Sequence, residues 1–374
     1  MLHVGLNLVF LTPGEQGGME VYARELLPRL AARGDLRLTA FVNRDGAGGR
    51  VVDPAWGIDE VVVGVRASDR RQWVLGEQLH LPRMAKAAGC ELVHSLASTA
   101  PLHGRFRRIT TIHDLNYKIV PETHFGILGL GMRVLVPAAA HRSHRLIAVS
   151  SSTADDLVAH LKVPRAKIDV VPQGVSARPA VAPTPEAELR ARLELGDRPV
   201  LLTVSAKRPH KNLPRLIEAH AGLPAPRPVL VLPGYPTPHE AELRALADRL
   251  GTLGELRFLD WVSDADLEGL YALAAVFAFP SLYEGFGLPP LEAMSRGVPV
   301  VTSARGSLAE VVGDAAAVVD PESVPAIRDA IARLLADAGE RERLRAAGRV
   351  QAARFTWERT AELTAAAYGR AGVR

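Results

Sequence analysis

Two glutamates eight positions apart, Glu284 and Glu292, bracket the string Gly285-Phe286-Gly287-Leu288-Pro289-Pro290-Leu291. Gly285 and Gly287 carry no Cβ, so the backbone there can approach a ligand closely and adopt φ > 0. The amides from Gly285 to Leu288, at the start of a helix, can point at an anion such as a diphosphate. The Glu284 carboxylate can accept hydrogen bonds from sugar hydroxyls. Glu292, in the first turns of the helix, can take both hydroxyls of a ribose in a two-point contact. Together these groups suit a nucleotide sugar. Alone, Glu292 would equally well complement the helix macrodipole.

Three further sets could take part. Lys207, Arg208 and Lys211 lie in the loop Ala-Lys-Arg-Pro-His-Lys-Asn after an apolar run at 199–205, where anions bind if that run is a strand; by itself such a loop is usually solvated surface. His113-Asp114 ends the β-branched run 108–115, and by spacing alone His113 reads as a hydrogen-bonded strand-end histidine. Gly17-Gly18 separates an apolar run at 4–10 from an amphipathic stretch at 21–33, an arrangement that either cradles an anion or only makes a turn. Gly234, closing Val-Leu-Val-Leu-Pro-Gly, is expected against a nucleotide. His94, at the end of 91–95, reads as structural.

The elements that must position these groups alternate between buried strand and amphipathic helix, twice over. Strands are expected at 4–10, 36–43, 61–65, 91–95, 108–115 and 146–150, and again at 199–205, 229–234, 275–280 and 298–303. Residues 66–82 read as an exposed connection leading into a helix, 117–145 as loops and helices, and 322–354 as helical. The proline-bearing stretch 175–185 is a linker. The pattern predicts an α/β protein of two Rossmann-like doubly wound domains facing a central cleft, with ligands at the carboxyl ends of the strands.

Length and composition agree. The 374 residues exceed one ordinary domain, and 48% hydrophobic with 23% charged residues describes a globular protein. A single cysteine, Cys90, excludes an intramolecular disulfide and fits a reducing, cytoplasmic compartment. The start, Met-Leu-His-Val-Gly-Leu, lacks a basic region and cleavage site, and no stretch of about twenty apolar residues spans a membrane. The net charge of +4 is carried almost wholly by arginine. No nucleic-acid motif accompanies it. Basic runs at Arg105-Phe-Arg107-Arg108 and His141-Arg142-Ser-His144-Arg145 offer a peripheral contact with anionic lipid at the inner membrane face.

Read as one string, Glu284-Gly-Phe-Gly-Leu-Pro-Pro-Leu-Glu292 resembles the donor signature of the retaining GT-B glycosyltransferases of family 4. The likeness runs from the Gly17-Gly18 loop to Trp357. It implies a GT-B fold, with an acceptor-side domain at 1–178, a donor domain at 179–354 and a helix at 355–374 crossing back. It implies that Glu284 holds the sugar, Glu292 the ribose, and Lys211 the donor diphosphate. It makes His113 a contact of the sugar or leaving phosphate, Gly17 and Gly18 a loop closing over donor and acceptor, and Val262 a contact of the base. Two departures stand out. Ser205 occupies the place of the family's arginine, so Arg208 is expected to supply the second cation, and Gln173 stands where the family more often has Asn.

The resemblance further implies hexosyl transfer from a nucleotide-sugar donor to an acceptor hydroxyl of a glycan, glycolipid or natural product, with retention and with no metal or other cofactor. The strings His-Asp-Leu, Pro-His-Lys-Asn and Glu-Gly-Phe-Gly-Leu-Pro-Pro-Leu-Glu-Ala look most like mannosyltransferases, which points to GDP-mannose. Two rivals are a nucleotide-sugar epimerase of the same fold and a non-catalytic nucleotide-sugar binder.

Overall fold

The computed structural model describes residues 1–14, 17–120, 126–176 and 181–372. The chain divides into two compact units, Met1–Gly174 with Thr356–Arg374, and Val175–Phe355. The expected 178/179 boundary and Pro179 of the expected linker lie outside the described residues, as do residues 121–125 within the 117–145 region.

The first unit is built on seven parallel strands: β1 (Leu2–Leu8), β2 (Leu36–Val42), β3 (Asp59–Val62), β4 (Leu92–Ser95), β5 (Arg107–Ile112), β6 (Arg145–Ala148) and β7 (Ile168–Val170). Their order is β3-β2-β1-β4-β5-β6-β7, with Val4 of β1 opposite Leu38 on one side and Leu92 on the other. Such strands are covered on both faces, which is why they read as nearly continuous apolar runs. The order reverses between β1 and β4, so the loops leaving those two strands diverge and open a crevice at their carboxyl ends.

The second unit repeats the plan with six parallel strands: β8 (Val200–Leu202), β9 (Val229–Pro233), β10 (Leu256–Leu259), β11 (Ala274–Phe279), β12 (Val300–Ser303) and β13 (Ala317–Val319). The order is β10-β9-β8-β11-β12-β13, reversing between β8 and β11. Its core joins Leu201, Leu230, Val276 and Val301 of the sheet to Leu216 and Ile217 of the helix Leu213–Ala221. Each such side chain contributes about 1.5–3 kcal/mol when fully buried.

The helix Trp357–Arg370 belongs to the first unit. It packs against the helix Gly18–Ala31, with Trp357 buried and Thr360 Oγ1 donating to Pro172 O at 2.8 Å. The approach is close: a Cβ on Gly174 would lie 2.2 Å from the Trp357 nitrogen.

Two expected elements differ. The 322–354 helix is two helices, Val324–Ala336 and Ala338–Ala352, because Asp337 is extended and caps the second through its side chain on the Glu340 amide at 2.9 Å. The 66–82 connection is mostly helical, running Arg70–Leu75, a π segment at Gly76–His80, then Leu81–Ala87. It is also not all exposed. Glu77 is buried, with Asn7 Nδ2 and Thr99 Oγ1 donating to its Oε1 at 2.8 and 2.9 Å and Gln78 Nε2 to its Oε2 at 3.1 Å.

Candidate active-site groups

In the second unit, Lys211 and Glu284 leave the two strands that flank the reversal, β8 and β11, and meet. Lys211 Nζ donates to Glu284 Oε1 at 2.7 Å, and Ser281 Oγ donates to the same oxygen at 2.6 Å. The loops that carry them are stitched by backbone. His210 O accepts from Leu282 N at 2.8 Å and lies 2.9 Å from Ser281 Oγ, and the buried Asn212 amide donates to Pro280 O at 2.9 Å. The ammonium also lies 5.2 Å from the centre of the Phe279 ring.

Glu284 is held from the far side by the turn at Gly306-Ser307. Its carbonyl accepts from Ser307 N at 3.1 Å and lies 3.0 Å from Ser307 Oγ. Gly306, at φ +62, packs so closely that a Cβ would lie 2.4 Å from that carbonyl oxygen. Phe286 is tied down likewise, its carbonyl accepting from Ser307 Oγ at 2.5 Å and its ring meeting Phe355 edge-on.

Gly287 takes φ +110 and precedes the helix Leu288–Ser295. Pro289 and Pro290 have no N–H, so the helix start itself offers an anion only the Leu288 amide, beside those of the loop from Gly285. Glu292 is the fifth residue of this helix. Tyr271 Oη donates to its Oε2 at 3.0 Å, and Oε1 takes no hydrogen bond from the described residues. Burial raises the Glu292 carboxyl above its usual value, against the attraction of Arg296. Arg296 itself pairs with Glu268 at 2.5 Å.

The basic loop divides. Lys207 is fully buried and faces the interior, donating to Gly234 O at 2.5 Å and Leu259 O at 2.6 Å. Arg208 is exposed, and its guanidinium makes no hydrogen bond or ion pair to the described residues. Ser205 N donates to Pro233 O at 3.1 Å, and Gly234 has φ +139 because a Cβ would lie 2.0 Å from Ser205 O. The glycine is thus required by the crossing of two strand ends, whatever else it approaches. Val262 precedes the cap Ser263, which accepts from Asp266 N at 3.1 Å, and lines a cavity of about 320 Å3 with Arg192, Arg244, Phe258 and Trp261.

In the first unit, His113 emerges at the carboxyl end of β5. Its Nε2 donates to Leu96 O at 2.7 Å, and Gln173 Nε2 donates to its Nδ1 at 3.1 Å. Tyr22 stands edge-on, ring centres 5.1 Å apart. Burial lowers the His113 pKa, against the raising influence of Leu96 O and Asp114. Beneath it His94 is a satisfied structural histidine, bonded to Tyr368 Oη and Thr111 Oγ1 at 2.8 Å each and pushed down to about 3 by burial. Gly17 (φ +51) caps the helix that begins at Gly18, and a Cβ there would meet nothing within 4 Å.

Arg105, Arg107, Arg108 and His144, from the two basic runs, line one open groove of about 480 Å3. It lies at the amino ends of β5 and β6, opposite the carboxyl ends that carry His113. Among the described residues no group of three or more His, Cys, Asp or Glu side chains gathers to hold a metal, and no helix is long and apolar enough to cross a membrane. Ser281, Asn212 and Leu96 O were not foreseen. Asn212 follows Lys211 directly, but the carbonyl contact of Leu96 leaves no trace in residue type.

Comparison with known proteins is decisive. The profile for Glycosyltransferase Family 4 matches residues 16–178, and that for Glycosyl transferases group 1 matches 185–351. O-antigen chain mannosyltransferase B of Escherichia coli is 35% identical over 272 residues, 71% of each chain. The chain belongs to the family 4, group 1 glycosyltransferases. D-inositol 3-phosphate glycosyltransferase of Salinispora arenicola is 30% identical over 403 residues, covering 96% of this glycosyltransferase and 88% of that one. The structure of Anabaena HepE in complex with UDP-glucose superposes with a TM-score of 0.80 at 21% identity, over 99% of this chain and 100% of that one. The fold of this glycosyltransferase is therefore GT-B, two Rossmann-like α/β domains.

Proposed function

We propose that this glycosyltransferase moves mannose from GDP-mannose to a hydroxyl of a glycan, glycolipid or natural product, with retention at the anomeric carbon and without a metal. The observation that carries the reading is the Lys211–Glu284 pair at the reversal between β8 and β11. It sets a cation and a hydroxyl-accepting carboxylate 2.7 Å apart where a doubly wound sheet binds ligands. Lys211, Arg208 and the amides of 285–288 would stabilise the departing diphosphate, a task for fixed cations and dipoles. Glu284 would hold the sugar and Glu292 the ribose, with Gly234 and Val262 beside the nucleoside. In the first unit we assign His113 and the Gly17-Gly18 turn to sugar and acceptor. The choice of mannose rests on the Escherichia coli relative; the HepE structure, solved with UDP-glucose, supports a nucleotide-sugar donor but carries a different base.

The engagement of Glu284 with Lys211 and Ser281 disfavours it as a covalent nucleophile. Front-face attack follows: the acceptor oxygen bonds to the anomeric carbon as the carbon–phosphate-oxygen bond breaks, and the hydroxyl proton passes to the departing phosphate oxygen. The enzyme would act in the cytoplasm, meeting anionic lipid peripherally through the groove at Arg105, Arg107 and Arg108. Loss of co-sedimentation with phosphatidylglycerol vesicles on charge reversal of these arginines would test that contact.

A thermal-shift panel of GDP, UDP, ADP and dTDP tests the donor, since a ligand selective for the native state raises its stability. GDP is expected to give the largest shift. Glu284→Gln keeps the shape and should cut mannosyl transfer by about 10²–10³-fold with the melting transition nearly unchanged. Unaltered turnover would remove Glu284 from the reaction, and a β-linked product would overturn retention.

A further inference from the structure

Both ring nitrogens of His113 already have protein partners, and the two partners determine its protonation. Leu96 O is a backbone carbonyl and can only accept, so Nε2 must carry a hydrogen. At Nδ1 the Gln173 amide could in principle meet the ring in two ways, donating N–H to a bare nitrogen or turning its oxygen to a protonated one. The described orientation donates, leaving Gln173 Oε1 buried without a partner. The reverse would instead bury an unpartnered NH2 and an imidazolium together. An under-satisfied carbonyl oxygen is the less costly orphan, and a buried charge costs more than either.

The groups facing the ring do not change the balance. Tyr22 meets it edge-on, and its hydroxyl is pushed up to about 12, so it stays neutral. His94, packed below, is held neutral. Asp114, the adjacent carboxylate, attracts a proton to the ring, but its Oδ1 is engaged by the Asn116 amide at 2.9 Å and desolvation of the ring outweighs it.

We propose that Gln173 is the positioning residue of His113, closing Nδ1 so that the ring enters the reaction as an uncharged Nε2–H imidazole. Such a ring has one exchangeable site, a lone pair at Nδ1. A sugar hydroxyl can donate to it by displacing the Gln173 amide. A phosphate oxygen cannot, because it has no proton to give. His113 therefore contacts a hydroxyl rather than the leaving diphosphate. This last step rests on the glycosyl-transfer reading above; the tautomer does not.

The test is NMR of the full-length protein labelled with 15N-histidine, with His113 identified by the signals lost in His113→Asn. The wild type should show the Nε2–H pattern at pH 7, with ring protonation only below the ordinary histidine midpoint. In Gln173→Glu a carboxylate faces Nδ1, and the midpoint should rise by about 1–3 pH units. Transfer near neutral pH should fall in that variant and recover as pH rises through the new midpoint, while Gln173→Asn retains the neutral ring. An Nδ1–H or doubly protonated ring in the wild type, or an unshifted midpoint in Gln173→Glu, overturns the proposal; should Gln173→Glu fail to fold, the wild-type spectrum decides alone. The expected spectra with no sugar transfer from any nucleotide sugar would instead sink the functional reading and leave the tautomer standing.

Discussion

Lys211 and Glu284 follow the two strands that flank the reversal of the second sheet, whereas His113 follows β5, one strand beyond the reversal of the first, and the two units also treat charge in opposite ways. In the second unit, Lys211 and Glu284 form an ion pair at 2.7 Å, with the Ser281 hydroxyl on the same carboxylate oxygen and Ser307 holding the Glu284 backbone carbonyl. In the first unit, His113 and His94 are both driven towards neutrality by burial, and their contacts are to amides, hydroxyls and a carbonyl. A paired charge survives burial when hydrogen bonds satisfy its remaining lone pairs; an isolated imidazole gives up its proton. The same scaffold thus presents an ion pair in one unit and uncharged hydrogen-bonding rings in the other.

Removing the cation probes that contrast most severely. Lys211→Met should lower transfer by about 10²–10³-fold and abolish the thermal shift from a nucleoside diphosphate. His113→Asn should leave that shift intact. If the two variants lose nucleotide binding equally, the division of labour is wrong.

A backbone probe comes next in size. Gly306→Ala would set a side chain at φ +62 against the Glu284 carbonyl. Together the strain and overpacking should cost about 3 kcal/mol or more, read in chemical denaturation. Gln173→Asn, which alters only a side-chain contact, should cost less. Equal losses would mean that the histidine is held as rigidly as the carboxylate.

The smallest expected effect sharpens the picture inside the second unit. Glu292 must be ionised to accept two hydroxyls, and its folded-state pKa lies above the usual glutamate value. Nucleoside diphosphate affinity should therefore fall as pH drops through that raised midpoint. Glu292→Gln should bind about tenfold more weakly at neutral pH, within the range of hydrogen bonds to a charged group, and lose the pH dependence. For stability the sign is opposite. A carboxyl raised on folding stabilises the native state below its unfolded pKa, and that contribution is lost as pH rises through the folded value.

Much of this was legible in the residues. Apolar runs of strand length marked ten of the thirteen strands of the described residues but not the short β7, β10 and β13, and the Glu284–Glu292 string with Lys211 named two groups that the fold brings together, Lys211 and Glu284. What could not be read were contacts made by backbone atoms, which residue type does not encode: Leu96 O on His113, His210 O on Ser281, Ser205 O against Gly234. The break at Asp337 was missed because a helix-forming composition continues on both sides of it. Glu77 was missed because two of its three donors, Asn7 and Thr99, come from distant positions, and only the fold brings them to it. The prolines after Leu288 were plain in the sequence, and they thin the anion-binding amides that a helix start would otherwise supply.

The bond from Tyr368 to His94 has a consequence for how the polypeptide matures on the ribosome. Synthesis delivers the whole of Val175–Phe355 before the helix that packs Trp357 beside Tyr22 of the first unit. The later-made unit can therefore close on itself first, while the earlier one waits with an uncovered apolar face for its last segment. Domains that fold as independent units usually finish in order of their emergence; here the first unit cannot complete its packing until the 357–370 helix has left the ribosome, whereas the second is continuous in the chain.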